Sequence, residues 1–169
     1  IQTSFSFVSE DGKWLYFRAN DVQPNSYAIY RYGLATGVTE TVFDEPGLWF
    51  VAGHKPDGRL LLSKATGSQA FEYWEWDPAK KAKTPLLGTE KPGDYRAEYG
   101  PKEGQLLVVT PELGEFRRAY LFEAGKWTPI TPELKWDVSR ASLDDAKKRV
   151  LYTVNEGGYS KVHTLDAAT

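Results

Sequence analysis

Three charged residues, Arg96, Glu98 and Arg140, carry the clearest potential for ligand binding in this sequence. Arg96 and Glu98 are two positions apart, so on an extended strand their side chains lie on the same face. A guanidinium binds a carboxylate through two parallel hydrogen bonds, and a peptide terminus or a partner domain offers such a carboxylate. The pattern therefore predicts a carboxylate-binding site. The alternative interpretation is an arginine–glutamate pair that satisfies itself.

His54 is the fourth candidate binding residue, because it ends a strand-like segment. The other histidine, His163, falls in a column with Tyr30, Trp74 and Tyr120 and is expected to pack as an aromatic residue. Neither histidine has a motif partner, and two isolated histidines do not make a zinc site. The sequence predicts neither a metal nor a cofactor.

Catalytic residues are not predicted. The sequence contains no cysteine, which excludes a thiol nucleophile and disulfides. The string closest to a serine-hydrolase elbow, Gly158-Tyr159-Ser160-Lys161-Val162, lacks the final glycine and runs into a strand instead of a helix. We therefore expect that this chain alone is not an enzyme.

A repeat of about 45 residues must position these side chains, because turn-and-strand segments around Gly12, Gly58 and Gly104 recur 46 residues apart. A fourth copy runs from Lys148 to Thr153 with an altered turn. Each repeat contains four short strands, and this pattern is typical of a β-propeller blade. We predict an all-β fold of four blades, the last one incomplete. They form one domain or partial propeller over 1–169, with blades at about 4–43, 50–87, 96–131 and 139–169.

Aligned strand positions support this interpretation. In the second strands, one column holds Trp14, Leu60, Leu106 and Val150, and the next holds Leu15, Leu61, Leu107 and Leu151. Both faces are apolar, as expected for a sheet packed between two others. The first strands show a smaller or more polar column of Ser6, Ala52, Glu98 and Ser142, and Arg96 and Arg140 share a column with Ser4 and Phe50. These first strands are expected to line a central channel.

Acidic residues recur at the turn of each repeat: Asp11, Asp57, Glu103, Asp144 and Asp145. They could form a calcium-binding or charge-recognition surface. An aspartate before glycine more simply bonds its own turn backbone, which is our preferred interpretation.

The 24 aromatic residues (6 Trp, 10 Tyr and 8 Phe) could likewise form a glycan platform, but most occupy strand positions with apolar neighbours. We expect core packing for most of them, and exposure for Trp49 and Trp136 beside blade connections.

Overall charge and hydrophobicity limit the partners. A net charge of -2, with no basic excess, argues against nucleic acid and anionic membranes. Apolar runs are too short to cross a bilayer, so we expect a soluble protein, either cytoplasmic or periplasmic. Because methionine is absent even at position 1, we expect a processed or excised piece.

The arrangement of the blades is left open by the sequence. The four blades could close a small ring, form half of a larger ring, or form an eight-bladed ring as a dimer. An open blade edge would favour self-association.

The first blade resembles the repeats of two propeller families. Its segments Ser9–Phe17, Ile29–Tyr32 and Ala35–Gly37 are similar to the Tol-system propeller and to the N-terminal propeller of the prolyl oligopeptidase family. The second resemblance is our first choice. It implies a non-catalytic domain that gates and selects short peptides for an adjoining α/β-hydrolase domain. The alternatives are a Tol-type interaction scaffold, a carbohydrate-binding propeller, and an excised or engineered half-propeller.

Overall fold

Four antiparallel sheets make up the computed structural model, which describes residues 1–167. Residues 168 and 169, the last two of the predicted fourth blade, lie outside the described residues. The first sheet contains β1 (Thr3–Val8), β2 (Trp14–Gln23), β3 (Ser26–Gly33) and β4 (Thr39–Phe43). The second sheet contains β5 (Leu48–His54), β6 (Leu60–Gly67), β7 (Ala70–Asp77) and β8 (Ala82–Leu87).

The other two sheets follow the same plan. The third contains β9 (Arg96–Tyr99), β10 (Leu106–Thr110), β11 (Arg118–Glu123) and β12 (Lys126–Pro129). The fourth contains β13 (Val138–Leu143), β14 (Arg149–Glu156) and β15 (Tyr159–Asp166). Within each sheet every strand pairs with its neighbour in sequence order, and residues 1–167 contain no helix. The predicted all-β layout of four blades, with an incomplete last blade, is confirmed.

The hairpin between the first two strands explains the recurring glycines. Gly12, Gly58 and Gly104 have φ angles of 67°, 89° and 79°, in the left-handed region that glycine enters without a steric penalty. In the fourth blade Lys147 takes the same conformation, with a φ of 54°. The altered turn therefore keeps the geometry of the others, at the cost of a strained non-glycine residue.

Two compact units divide the described chain: Ile1–Pro92 holds the first two sheets, and the unit beginning at Gly93 holds the other two. We refer to them as unit 1 and unit 2. The prediction of one propeller domain over 1–169 stays a prediction. Each unit has its own core. The buried core of unit 1 contains Tyr16, Ile29, Phe43, Trp49, Leu60 and Leu62. The buried core of unit 2 contains Leu107, Val109, Ala119, Val138, Val150, Tyr152, Val154 and Ala167.

Second strands differ in how completely they are buried. Leu60, Leu61 and Leu62 of β6 are fully buried, and every residue of β10 is buried, so both faces of these strands are covered as expected. In β14 burial alternates, and Leu151 is 37% exposed. The expectation of two buried faces is therefore wrong for β14.

The structure also corrects the expectation that both Trp49 and Trp136 are exposed. Trp136 is 46% exposed, as expected, but Trp49 is only 1% exposed. The Trp49 ring packs edge-on against Phe43, with 4.8 Å between ring centroids. Its position beside a blade connection did not indicate this neighbour.

Bulges in the first strands shift two of the aligned columns. Ser6 in β1 and Ala52 in β5 are extra residues in their ladders, and the hairpin turns differ in length. The residues that pair opposite Leu15, Leu61, Leu107 and Leu151 are Val8, Gly53, Glu98 and Ser142. Ser6 and Ala52 were therefore wrongly aligned with Glu98. By the same registers, Phe5 replaces Ser4 in the column of Phe50, Arg96 and Arg140.

Candidate functional site

Glu98 lies on β9, the first strand of the third sheet, and reaches across to the fourth sheet. Its Oε1 atom accepts a hydrogen bond of 2.7 Å from the backbone N–H of Leu143, at the end of β13. Burial raises the pKa of Glu98 above its usual value, while the Leu143 amide and the positive charge of Arg140 oppose this shift. The carboxylate therefore connects β9 and β13, the first strands of the third and fourth sheets.

Arg96 makes a second connection between the same strands. Its guanidinium donates a hydrogen bond of 2.9 Å to the backbone carbonyl oxygen of Ser139. Ser139 is the extra residue of a bulge in β13, and a bulge leaves one residue outside the regular ladder. The Arg96 guanidinium is therefore engaged by the backbone of β13 and does not form the arginine–glutamate pair considered above.

Arg140 is the least engaged of the three charged candidates. It is exposed on β13, and its charge acts on the Glu98 carboxylate. Within residues 1–167 its guanidinium has no hydrogen-bond or ion-pair partner. The structure therefore brings Arg96, Glu98 and Arg140 together on β9 and β13. Of the two arginines, Arg96 uses one donor on the backbone of β13, and Arg140 has no hydrogen-bond partner within residues 1–167.

His54 belongs to unit 1 and forms a separate candidate site. It ends β5, where it pairs with Leu60. Its ring stacks on Phe7, with 4.0 Å between centroids and 5° between planes. Phe7 in turn stacks on Tyr16 at 4.3 Å and 11°. Three parallel rings from two sheets are thus joined in one stack, which we call the ring stack.

A cavity of about 350 Å³ opens beside the ring stack. Its other walls come from the turn between β1 and β2, from the turn between β5 and β6, and from Trp14 and Arg31. Burial lowers the pKa of His54, and the carboxylate of Glu10 acts in the opposite direction. A histidine with a lowered pKa is uncharged at neutral pH, so this cavity offers a neutral imidazole beside a carboxylate.

Phe7 and Glu10 were not identified from the sequence. Phe7 pairs opposite Tyr16, and Val51, Ala97 and Ala141 hold the matching positions in the other first strands. The sequence did contain a signal, because Phe7 is a large aromatic residue at a position where the other repeats carry smaller side chains. It was obscured because the bulge at Ser6 shifts the alignment.

Other residues singled out by sequence have structural roles. His163 stacks on Tyr152, with 4.9 Å between centroids, so it packs as an aromatic residue. It shares its position with Trp74 and Tyr120, but Arg31 takes the place assigned to Tyr30. Ser160 lies within β15 and pairs with Asn155, which is not the strand–turn–helix setting of a nucleophile elbow.

Three of the five acidic turn residues bond their own backbone, as the preferred interpretation expects. The Oδ1 atom of Asp11 accepts from the Lys13 amide at 3.1 Å, and that of Asp57 accepts from the Arg59 amide at 3.0 Å. Asp144 accepts from the amides of Lys148 and Arg149 at 2.7 and 3.0 Å. These backbone bonds lower the pKa of Asp57 and Asp144, and the pKa of Asp11 is lowered first by a hydrogen bond from the Ser9 hydroxyl and then by the Lys13 amide.

Residues 1–167 contain no group of three or more side chains placed to hold a metal ion. Over the same residues, no helix has the length and apolar character needed to cross a membrane.

Comparison with solved structures identifies the fold of these sheets. TolB from Acinetobacter baumannii is 20% identical to this chain with a TM-score of 0.76, over 99% of this chain and 42% of TolB. Prolyl oligopeptidase B from Galerina marginata is 13% identical with a TM-score of 0.74, over 98% of this chain and 26% of that protein. The propeller domain of the trilobed protease from Pyrococcus furiosus is 13% identical with a TM-score of 0.62, over 97% and 68% respectively.

These likenesses establish the propeller fold, which matches both predicted resemblances. The chain spans only about two fifths of the length of the TolB that it resembles and about a quarter of the prolyl oligopeptidase. No protein-family model and no curated protein matches the sequence.

Proposed function

We propose that this chain is a non-catalytic propeller segment that binds short peptides and selects them for a serine peptidase of the prolyl oligopeptidase type. The likeness to prolyl oligopeptidase B supports the proposal, because that protein is described bound to a 35-residue substrate. The hydrolase domain would be a partner of this segment, and bond cleavage would take place there.

The free guanidinium of Arg140 is the observation that carries this proposal. It lies on a first strand beside the half-buried carboxylate of Glu98, and within residues 1–167 it has no hydrogen-bond acceptor. The first strands of propeller blades line the central channel, where a peptide would pass. A guanidinium placed there binds a peptide carboxylate through paired hydrogen bonds. Arg96 and Glu98 link β9 to β13, the strand that carries Arg140.

A peptide-binding experiment tests the role of Arg140. We would titrate the chain with acetyl-Ala-Gly-Pro-Phe as the free acid and as the amide, using calorimetry. Arg140→Gln is expected to weaken binding of the acid by about tenfold, the effect of losing roughly 1.4 kcal/mol. It should leave the amide unaffected. Arg149→Gln is the matched control, because it removes an exposed arginine of the same unit that lies on β14. Equal binding of acid and amide by the unsubstituted chain would refute the site.

The peptidase partner is tested separately, by reading the source gene beyond Thr169. Further blades followed by a Gly-x-Ser-x-Gly elbow, with later Asp and His, would support the proposal. A reading frame that stops within one or two blades would exclude the peptidase and leave only a binding role.

An interaction scaffold of the Tol type is the second candidate function. The TM-score of 0.76 to TolB favours it. Such a scaffold would bind a protein partner across one propeller face and would be expected in the periplasm. A pull-down from a cell-envelope extract distinguishes it from the peptide-selection proposal, in which no stable protein partner is expected apart from the hydrolase domain.

A further inference from the structure

Unit 1 repeats one local arrangement in which a basic side chain lies over an aromatic ring and ends on a carboxylate. The Lys83 ammonium lies 4.6 Å from the centroid of Trp74 and 5.0 Å from that of Trp49, and it pairs with Glu45. Such a side chain buries its apolar stem against the ring and keeps its charged end near a counter-ion.

A second example lies at the edge of the ring-stack cavity. The Arg31 guanidinium lies 4.1 Å from the centroid of Trp14, and its Nη2 atom is 2.6 Å from the Glu40 carboxylate. In both examples the chain supplies the ring, the cation and the carboxylate. The Arg31 cation is therefore already matched with its own acid.

The ring-stack cavity has the rings and the carboxylate, but its own cations are engaged elsewhere. Lys55, in its wall, pairs with Glu75 at 2.8 Å. Asp11 and Asp57, also in the wall, are bound by their own turns and contact Lys13 and Arg59. The carboxylate of Glu10 is different, because within residues 1–167 it has no hydrogen-bond or ion-pair partner.

We propose that this cavity binds a lysine or arginine side chain of another polypeptide, with the stem against the ring stack and the charged end at Glu10. The volume of about 350 Å³ lies at the lower end of the range for small-ligand pockets and suits one long side chain. Because burial lowers the pKa of His54, the imidazole is uncharged at neutral pH and does not repel the incoming cation. The proposal does not depend on the peptidase association or on Arg140.

Matched tripeptides test the proposal with the 169-residue chain. The probes are acetyl-Gly-Lys-Gly-amide, acetyl-Gly-Arg-Gly-amide and acetyl-Gly-norleucine-Gly-amide, in which norleucine keeps the stem without the charge. Binding is followed through the NMR signals of the His54 imidazole and the Trp14 indole. We expect both basic peptides to bind at least about threefold more tightly than the norleucine peptide, as for a solvent-exposed ion pair combined with cation–π contacts. Failure of the basic peptides to shift these signals, or equal binding of norleucine, overturns the proposal.

A fourth probe distinguishes a side chain from a peptide amino terminus, since both carry an ammonium group. Unacetylated Gly-norleucine-Gly-amide offers only the terminal ammonium. If it binds as tightly as the lysine peptide, the cavity recognises the terminus, and the side-chain proposal is wrong.

Two variants locate the charge that is recognised. Glu10→Gln should weaken the lysine peptide by about threefold and leave norleucine binding unchanged, because only a solvent-exposed ionic contact is removed. Glu90→Gln is the control, since Glu90 is also an exposed acid of unit 1 and does not line the cavity. Equal effects of the two variants would show general charge attraction only and would overturn the proposal.

Discussion

The carboxylate of Glu98 and the backbone amide of Leu143 are joined by a hydrogen bond across 45 positions of sequence. The bond links the first strands of two neighbouring sheets, and it is made by a residue that the sequence suggested for ligand binding. Arg96 makes a parallel link to Ser139. Two of the three charged candidates in unit 2 therefore stabilise the site around Arg140.

Glu98→Gln should change the free energy of unfolding at pH 7 by less than about 0.5 kcal/mol, because the amide oxygen still accepts from Leu143 while the buried charge is removed. Glu98→Ala should cost about 1 kcal/mol or more, since the Leu143 N–H loses its acceptor. Urea denaturation of both variants measures the difference. Equal destabilisation by Gln and Ala would contradict the proposed role of the hydrogen bond.

The contribution of Glu98 to the stability of the fold should depend on pH. Burial holds the pKa of Glu98 above its unfolded value, so its contribution to stability is present below the unfolded pKa. This contribution is lost as the pH rises through the folded pKa. The stability of the unsubstituted chain relative to Glu98→Gln should therefore fall between about pH 4 and about pH 7. Urea denaturation of both proteins at the two pH values measures whether this stability difference falls as predicted.

Arg18 should be a strong stabilising residue of unit 1. Its guanidinium lies 3.8 Å from the centroid of Phe50 and 4.4 Å from that of Tyr27, and it donates to the carbonyl oxygen of Trp49 at 3.1 Å. Arg18→Lys should cost about 1 kcal/mol, because a lysine cannot stack a planar group between two rings. Thermal unfolding measures this loss. The conservative substitution at exposed Arg149 should have no comparable effect.

Gly58 and Lys147 occupy equivalent turn positions, and exchanging their residue types should change the free energy of unfolding in opposite directions. Gly58 has a φ of 89°, so Gly58→Ala should destabilise by about 1 kcal/mol through backbone strain. Lys147 has a φ of 54°, so Lys147→Gly should be neutral or stabilise by up to about 1 kcal/mol. Chemical denaturation of both variants tests the assignment of the fourth turn. A clear loss of stability in Lys147→Gly would show that its side chain makes contacts that outweigh the strain.

Self-association should depend on β15. Among residues 1–167 no strand pairs with its outer edge, and Tyr159 and Val162 are 77% and 64% exposed. Val162→Lys should weaken self-association at least about threefold, because a charge on an edge strand opposes added pairing. Sedimentation velocity measures the effect. Val22→Lys, at another exposed valine in unit 1, should leave it unchanged.

The sequence predicted the blades because their signals are local. A left-handed glycine at Gly12, Gly58 and Gly104 defines a hairpin, and the apolar strands that follow define a sheet. The bulges at Ser6 and Ala52 were not predictable, because an extra residue becomes visible only in the register between two strands. For the same reason Ser6 and Ala52 were placed in the wrong column with Glu98.

The candidate sites were predicted less completely, because their contacts join residues from different sheets. The burial of Trp49 depends on Phe43, which meets it edge-on. The ring stack depends on Phe7 reaching His54 from the neighbouring sheet. Arg96, Glu98 and Arg140 were proposed as binding residues because their residue types are informative by themselves. The sequence could not show that Arg96 and Glu98 link two strands while Arg140 has no partner within residues 1–167, because those links end on backbone atoms of β13.

The hydrogen bonds that Arg18, Arg96 and Glu98 make between sheets all end on backbone atoms of the facing strand. Every residue type presents a carbonyl oxygen, and every type except proline presents an N–H. Substitutions at Trp49, Ser139 or Leu143 can therefore preserve these hydrogen bonds, and only the side-chain partner is restricted. These hydrogen bonds by themselves therefore place no restriction on the residue type of the backbone partner, except against proline at the N–H donor. This provides a physical route by which a propeller keeps its fold at 13 to 20% sequence identity.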